Sequence, residues 1–206
     1  MSSGTKIDKI LAIDCETSGL NWESGKCERP HGVAHGYQAI SWGMVISDTK
    51  TFKPIDELYV EIKWNGESKW DAKAEKIHGI SKEYLEENGV DEEEAIVMIV
   101  EFIMKHMDIK KPIYCLGHNV VAFDIPFLKD LFFRNGLEGV KFGHRHFDTF
   151  ALSMGTVKQH DSNTLFEKVG LPARKDHNAL EDAKYALESY RRISKAWDQM
   201  LKASST

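Results

Sequence analysis

The chain is 206 residues long, with 42% hydrophobic and 29% charged residues and a formal net charge of −5. That length suits one domain with a substantial core, and no internal repeat or low-complexity linker asks for a second. The acidic balance excludes a broad basic surface for coating long nucleic acid, but not a local phosphodiester site whose positive charge comes from metal ions.

In chain order, the first element is a strand over residues 8–14, where the apolar run from Ile10 to Ile13 meets Asp14. Residues 21–37, "NWESGKCERPHGVAHGY", are rich in Gly, His and polar residues and form a long loop. "QAISWGMVIS" (38–47) and "ELYVEIK" (57–63) have strand composition and extend the same sheet. A helix follows over 91–107, acidic at its start and basic at its end as the helix dipole favours. "PIYCLGHN" (112–119) is a further buried strand, closing at Gly117–His118–Asn119. From Phe123 to Arg134 the apolar residues return to helical spacing, whereas "FDTFALSM" (147–154) fits a short strand or a helix start equally. The last long helix runs from Ala179 to about Trp197, with Ala179, Ala183, Leu187, Tyr190 and Ile193 inward. Asn178 is its N-cap, and Glu181 can reach back as in a capping box. Strands come first and helices interleave later, which makes the class α/β with a mixed sheet.

The chemistry concentrates at element boundaries. Asp14 and Glu16 are two apart in a strand, so both project to one face while Cys15 points to the other. Carboxylates that close repel, and one stays protonated unless a cation lies between them. Taken alone, the pair also fits a strand end frayed into solvent. Asp124 lies in the first turn of its helix beside Phe123, where an acid is ordinarily a dipole partner. His177 precedes the last helix, and Asp182 lies about one turn inside it.

These segments together, "DCETSGL", "GHNVVAFD" and "DHNALEDA", resemble the three motifs of the DEDDh 3′→5′ exonucleases of the DnaQ-like superfamily. The family's D-x-E is met by Asp14 and Glu16, its N-x-x-x-F-D by Asn119, Phe123 and Asp124, and its H-x-A-x-x-D by His177, Ala179 and Asp182. "KIHGIS" (76–81) and "FDTFAL" (147–152) are softer likenesses, and the resemblance spans residues 8–195.

The resemblance implies an RNase H-like mixed central sheet flanked by helices. It makes residues 1–206 a single exonuclease domain, with a core over 8–197 and a short flexible tail over 198–206. Asp14, Glu16, Asp124 and Asp182 would converge on two Mg²⁺ or Mn²⁺ ions, hard cations suited to oxygen ligands. Asp14 would bridge the ions, Glu16 and Asp182 favour the nucleophile side, and Asp124 act as a weaker or water-mediated ligand. His177 is cast as the general base. Thr17 and Leu20 would line the terminal-nucleotide pocket, with Asn119 and Phe123 also on the substrate side; Phe123 fits a core anchor equally. The implied substrate is a nucleic-acid 3′ end, with single-stranded DNA favoured and RNA the alternative. A polymerase or repair partner, or a non-cutting binding module, is the other reading left open, and intact acids with His177 count against the module.

Weaker signals remain. Cys27, His31 and His35 have a zinc-like spacing but supply three ligands where a structural site wants four, so the loop fits a substrate-facing lid better. Trp22, Trp64 and Trp70 stand in polar contexts suited to base stacking, whereas Trp42 belongs to a strand core. Lys158, Arg174 and Lys175 flank the third motif and fit phosphate contacts or a solvated loop equally. Cys15 and Cys115 fall in apolar runs, as buried thiols of a reducing compartment do. No apolar stretch precedes the first strand, and "AIVMIVEFIM" is too short to span a bilayer, so a soluble cytoplasmic protein with no membrane partner is expected.

Overall fold

The computed structural model describes residues 7–20, 36–158, 160–174 and 177–204. Five strands form one sheet: β1 (Lys9–Thr17), β2 (Ala39–Asp48), β3 (Pro54–Glu61), β4 (Cys115–Gly117) and β5 (Phe147–Asp148), in the order β3-β2-β1-β4-β5. β2 is antiparallel to both β1 and β3, whereas β4 runs parallel to β1 and β5 parallel to β4. Seven helices accompany it among the described residues: α1 (Ala72–His78), α2 (Lys82–Asn88), α3 (Glu92–His106), α4 (Asp124–Arg134), α5 (Thr149–Thr156), α6 (Ser162–Lys168) and α7 (Ala179–Ala203). This is the mixed α/β sheet expected of an RNase H-like core.

β1 is apolar at consecutive positions because both of its faces are covered. Leu11, Ile13 and Cys15 pack on one side in a core with Trp42 and Met44 of β2, Ile99 and Ile103 of α3, and Leu128 and Leu131 of α4. Ile10 and Ala12 pack on the other with Val45, Leu116 and the Ala183, Ala186 and Leu187 stripe of α7. Each large side chain so buried contributes about 1.5–3 kcal/mol. The alternation carries Asp14 and Glu16 onto the α7 face.

Several expectations need adjustment. β4 occupies three residues of the predicted 112–119, because Pro112 and the left-handed Asn119 (φ 60°) bound it. Residues 147–154 are both strand and helix: β5 ends at Asp148, whose side chain caps α5 by accepting the Phe150 N–H. The last helix runs past the expected end near Trp197 and continues to Ala203, although Trp197, Met200 and Leu201 are exposed there. Good helix formers propagate an existing helix without burial. Glu181 reaches forward to Lys184 rather than back to the cap. The short helices α1, α2 and α6 escape periodicity analysis at seven residues each, yet their caps are written in the chain. Asp71, Ser81 and Asp161 each accept a first-turn N–H, and Gly79 closes α1 at φ 73°. "KIHGIS" is therefore the turn between two helices.

Gly43 positions α7. It lies opposite Asp14 in the β1–β2 register, and a Cβ there would come within 2.1–2.2 Å of the Ala179 and Leu180 backbone. The helix start thus rests directly on the sheet beside Asp14. Gly43→Ala should lower unfolding free energy by about 1–3 kcal/mol, as overpacking does. It should also lift the start of α7 away from β1. Urea denaturation checks the first effect; a variant as stable as the parent would show that the helix does not depend on this contact.

Candidate active site

The parallel strands β1, β4 and β5 end on the same side of the sheet, where side chains of α/β proteins meet ligands. An open cleft lies there, lined by Asp14, Glu16, His118, Ser162, Phe166, Arg174, His177 and Asp182. β1 supplies the first two. The Asn178 cap, accepting the Leu180 and Glu181 N–H groups, starts α7 so that Asp182 in its first turn faces them. Ligand atoms of Glu16, His177 and Asp182 lie within 4.8 Å of one another. His177 sits on non-helical backbone just before the cap, its side chain 41% exposed, with Nδ1 3.6 Å from Asp182 Oδ2.

Asp124 stands behind this group and does not line the cleft. β4 stops short of Cys15, leaving that strand N–H without a sheet partner, and Asp124 Oδ1 accepts it at 3.0 Å. The carboxyl is 2% exposed and close enough to Asp14 for their charges to interact. Of the residues expected to face substrate, Leu20 is 80% exposed. The Thr17 hydroxyl is buried and donates to the Gly19 carbonyl. Asn119 gives its N–H to Asp148, and Phe123 stacks at 5.2 Å on Phe127 at the edge of the core. His78 of the "KIHGIS" turn is buried, with Nδ1 accepting the Ile80 N–H.

The acids crowd together at an electrostatic cost. Burial, then the charges of Asp124, Asp182 and Glu16, push the Asp14 carboxyl well above its ordinary range, against a pull from Arg174. Burial, then Asp182, raises Glu16 to about 7, again opposed by Arg174. Burial likewise lifts Asp124 to about 7 despite the hydrogen bond from Cys15. The donor set therefore fits hard divalent cations: carboxylate oxygens, mutually repulsive, with buried Asp182 Oδ1 beside the Arg174 guanidinium yet without an aligned hydrogen-bond donor.

Three cleft residues were not singled out in the sequence. His118 directly follows β4, a position at a strand's carboxyl end that was itself a usable signal. Its Nδ1 lies 3.1 Å from Thr149 Oγ1 and its Nε2 3.3 Å from the His160 carbonyl, and burial lowers its pKa. Ser162 and Phe166 come from α6, which periodicity did not reveal. Among the weaker candidates, Arg174 reaches the cleft, whereas Lys158 hydrogen-bonds the Gly155 carbonyl on the surface. Trp42 is fully buried. Trp64 and Trp70 are half-buried, edge-on to each other with Lys82 above, and their N–H groups go to Ser68 and Glu75. Trp22, Cys27, His31, His35 and Lys175 lie outside the described residues.

A five-stranded mixed sheet with an acid cluster at its parallel strand ends defines an RNase H-like nuclease architecture. The chain belongs to the exonuclease family, whose RNase_T model matches residues 11–190. Escherichia coli exonuclease I in its zinc-bound complex with single-stranded DNA is similar in structure, with a TM-score of 0.74 and 16% identity. That alignment covers 96% of this chain and 43% of the other. The same enzyme with a dT13 oligonucleotide aligns at TM-score 0.72 and 16% identity, over 95% of this chain and 44% of that one. The chain thus spans less than half the length of these neighbours. No curated protein sequence matches it significantly. No helix among the described residues is long and apolar enough to cross a membrane.

The raised carboxyls predict a linkage between protons and metal. Cations bind the ionised forms, so Mn²⁺ binding near pH 6.5 should expel protons held by Glu16 and its neighbours and should tighten as pH rises toward 8. Titration calorimetry in buffers of different ionisation enthalpy reads this directly; binding without proton release at pH 6.5 contradicts it. In EDTA the sign reverses. Glu16, raised from 4.5 to about 7, stabilises the native state in its protonated form, a contribution lost as pH climbs through that window. Buried His78 and half-buried His118 and His146, all with lowered pKa, act oppositely in an overlapping range. The comparison is therefore wild type against Glu16→Gln, and the wild type should lose ground between pH 5 and 8.

Proposed function

We propose that this chain is a divalent-cation-dependent 3′→5′ exonuclease that removes 5′-mononucleotides from single-stranded ends, DNA before RNA. The observation that carries the reading is the convergence of Asp14, Glu16 and Asp182 with half-exposed His177 in one open cleft. Binding of single-stranded DNA by structurally similar exonuclease I supports the substrate class. Asp14, Glu16 and Asp182 would hold two ions of Mg²⁺ or Mn²⁺ type, with Asp124 supporting Asp14 from behind. Such ions supply charge neutralisation at the phosphodiester and activation of water.

The remaining work falls to the protein's own groups. His177 takes the proton of the attacking water, imidazole being the side chain suited to general-base work near neutral pH. Its place ahead of the Asn178 cap leaves the ring room to swing over the cleft. Asp182, one turn later, lies within reach of the ring and favours the imidazolium that results. Leu20, exposed a few residues past β1, would wedge against the terminal base and keep the 3′ end in register.

Two measurements test this. A 5′-labelled single strand should shorten stepwise with Mg²⁺ or Mn²⁺ and not with EDTA, while a closed single-stranded circle should survive; parallel RNA and duplex substrates give the preference. Release of the 5′ label as a mononucleotide, or cutting of circles, overturns the polarity. His177→Ala should cut kcat about 10²–10⁴-fold while Mn²⁺ and DNA affinities change little. Near-normal turnover would remove His177 from proton transfer.

A further inference from the structure

Among the described residues, Arg174 is the one cleft-lining cation whose charge is built into the acid cluster. Its side chain is 9% exposed, and Nη1 lies 2.5 Å from Asp182 Oδ1. Nε and Nη2 both bond Asn163 Oδ1, at 2.9 and 2.7 Å, and Nη2 also donates to Ser162 Oγ at 3.0 Å. The guanidinium carbon stands 5.0 Å over the Phe166 ring. One edge of the fork is thus anchored to the first turn of α6, and the other is aimed at a carboxylate that also belongs to the Glu16–His177–Asp182 group. Arg174 opposes the upward push on both Asp14 and Glu16.

A guanidinium ion-paired with Asp182 Oδ1 and a divalent ion on the same carboxylate repel each other, so each weakens the other's hold. Charge counting says where the displaced cation goes. Four carboxylates are balanced by two divalent ions, which leaves Arg174 in surplus when both are bound. Its Nε and Nη2 can stay on Asn163 and Ser162 while Nη1 turns to the next available anion in the cleft, a phosphodiester oxygen; a planar fork anchored along one edge suits that exchange. We propose that Arg174 is an internal counter-cation that competes with metal for Asp182 and, once displaced, grips the substrate backbone. The inference rests on the acid cluster being the metal site.

Arg174 therefore weakens metal binding and strengthens nucleic-acid binding. A purely structural staple between α6 and α7 would do neither selectively. The test is the Mn²⁺ dissociation constant, measured by calorimetry at pH 8 without nucleic acid, for wild type, Arg174→Met, Arg174→Lys and Asp14→Asn. Circular dichroism verifies that each is folded. Arg174→Met should bind Mn²⁺ about tenfold more tightly, and Arg174→Lys should show a smaller gain because it keeps the charge without the anchored fork. With saturating metal, Arg174→Met should raise KM for single-stranded DNA about tenfold, with a smaller change in kcat. Unchanged or weaker Mn²⁺ binding in Arg174→Met overturns the proposal; if that variant does not fold, unchanged or weaker binding in Arg174→Lys does so. An unchanged KM removes the phosphate grip. If Asp14→Asn binds Mn²⁺ as wild type does, the metal-site reading itself fails, and the role of Arg174 with it.

Discussion

The start of α7 touches the sheet at Gly43, and the active-site geometry follows from that approach. A side chain at this position would occupy the Ala179 backbone. Because none is there, the helix settles against β1 and β2 at the level of Asp14. Everything that α7 brings is then placed by helical geometry. Asn178 caps the first turn, Asp182 faces β1 one turn inside, and His177 precedes the cap with its ring toward solvent. The small residues Ala179, Ala183 and Ala186 continue the close contact along the helix. A bulkier stripe would hold the backbone farther off and leave Asp182 short of Glu16.

The resulting acid cluster is paid for by the core around it. β1 is covered on both faces, and at Asp14 and Glu16 it is paired with β2 on one edge and tied by Asp124 to the Cys15 N–H on the other, so the two acids cannot retreat from one another by local fraying. The energetic penalty appears as raised carboxyls, Glu16 and Asp124 to about 7 and Asp14 well above its ordinary range, with burial the leading cause in each case. Stability is thus exchanged for a concentrated field at one strand end, the usual bargain at sites that bind cations. Asp124 adds to that field while satisfying a strand N–H that β4 is too short to reach. It is both an acid near the site and a backbone cap, and this explains a position behind the cleft rather than in it.

The polar surroundings divide the cleft into two sides. Toward α7 lie the acids and His177; toward α5 and α6 lie His118, Ser162 and Phe166, with Arg174 bridging the two. The first side suits cations and proton transfer. The second is neutral or positive, as a surface that meets a polyanion should be. His118 is fixed between Thr149 and His160, so its ring has one orientation to offer.

The sequence by itself determined the strands β1 to β3, the two long helices and the identity of the acids. Those features rest on short-range rules: alternation along β1, helical spacing along α3 and α7, and an Asn cap whose hydrogen bonds lie within three residues. It also carries the three motifs in order, and with them the identity of Asp14, Glu16 and Asp182. The tertiary structure alone decided the rest. Whether Asp124 lines the cleft depends on where β4 ends relative to β1, a register between strands a hundred residues apart. That Arg174 lies against Asp182, while Lys158 lies on the surface, depends on how α6 docks, and a seven-residue helix leaves too little periodicity to foretell its docking. Gly43 is an unremarkable glycine in a strand until α7 is laid across it. Close approach is a property of two segments at once, and a linear pattern records only one of them.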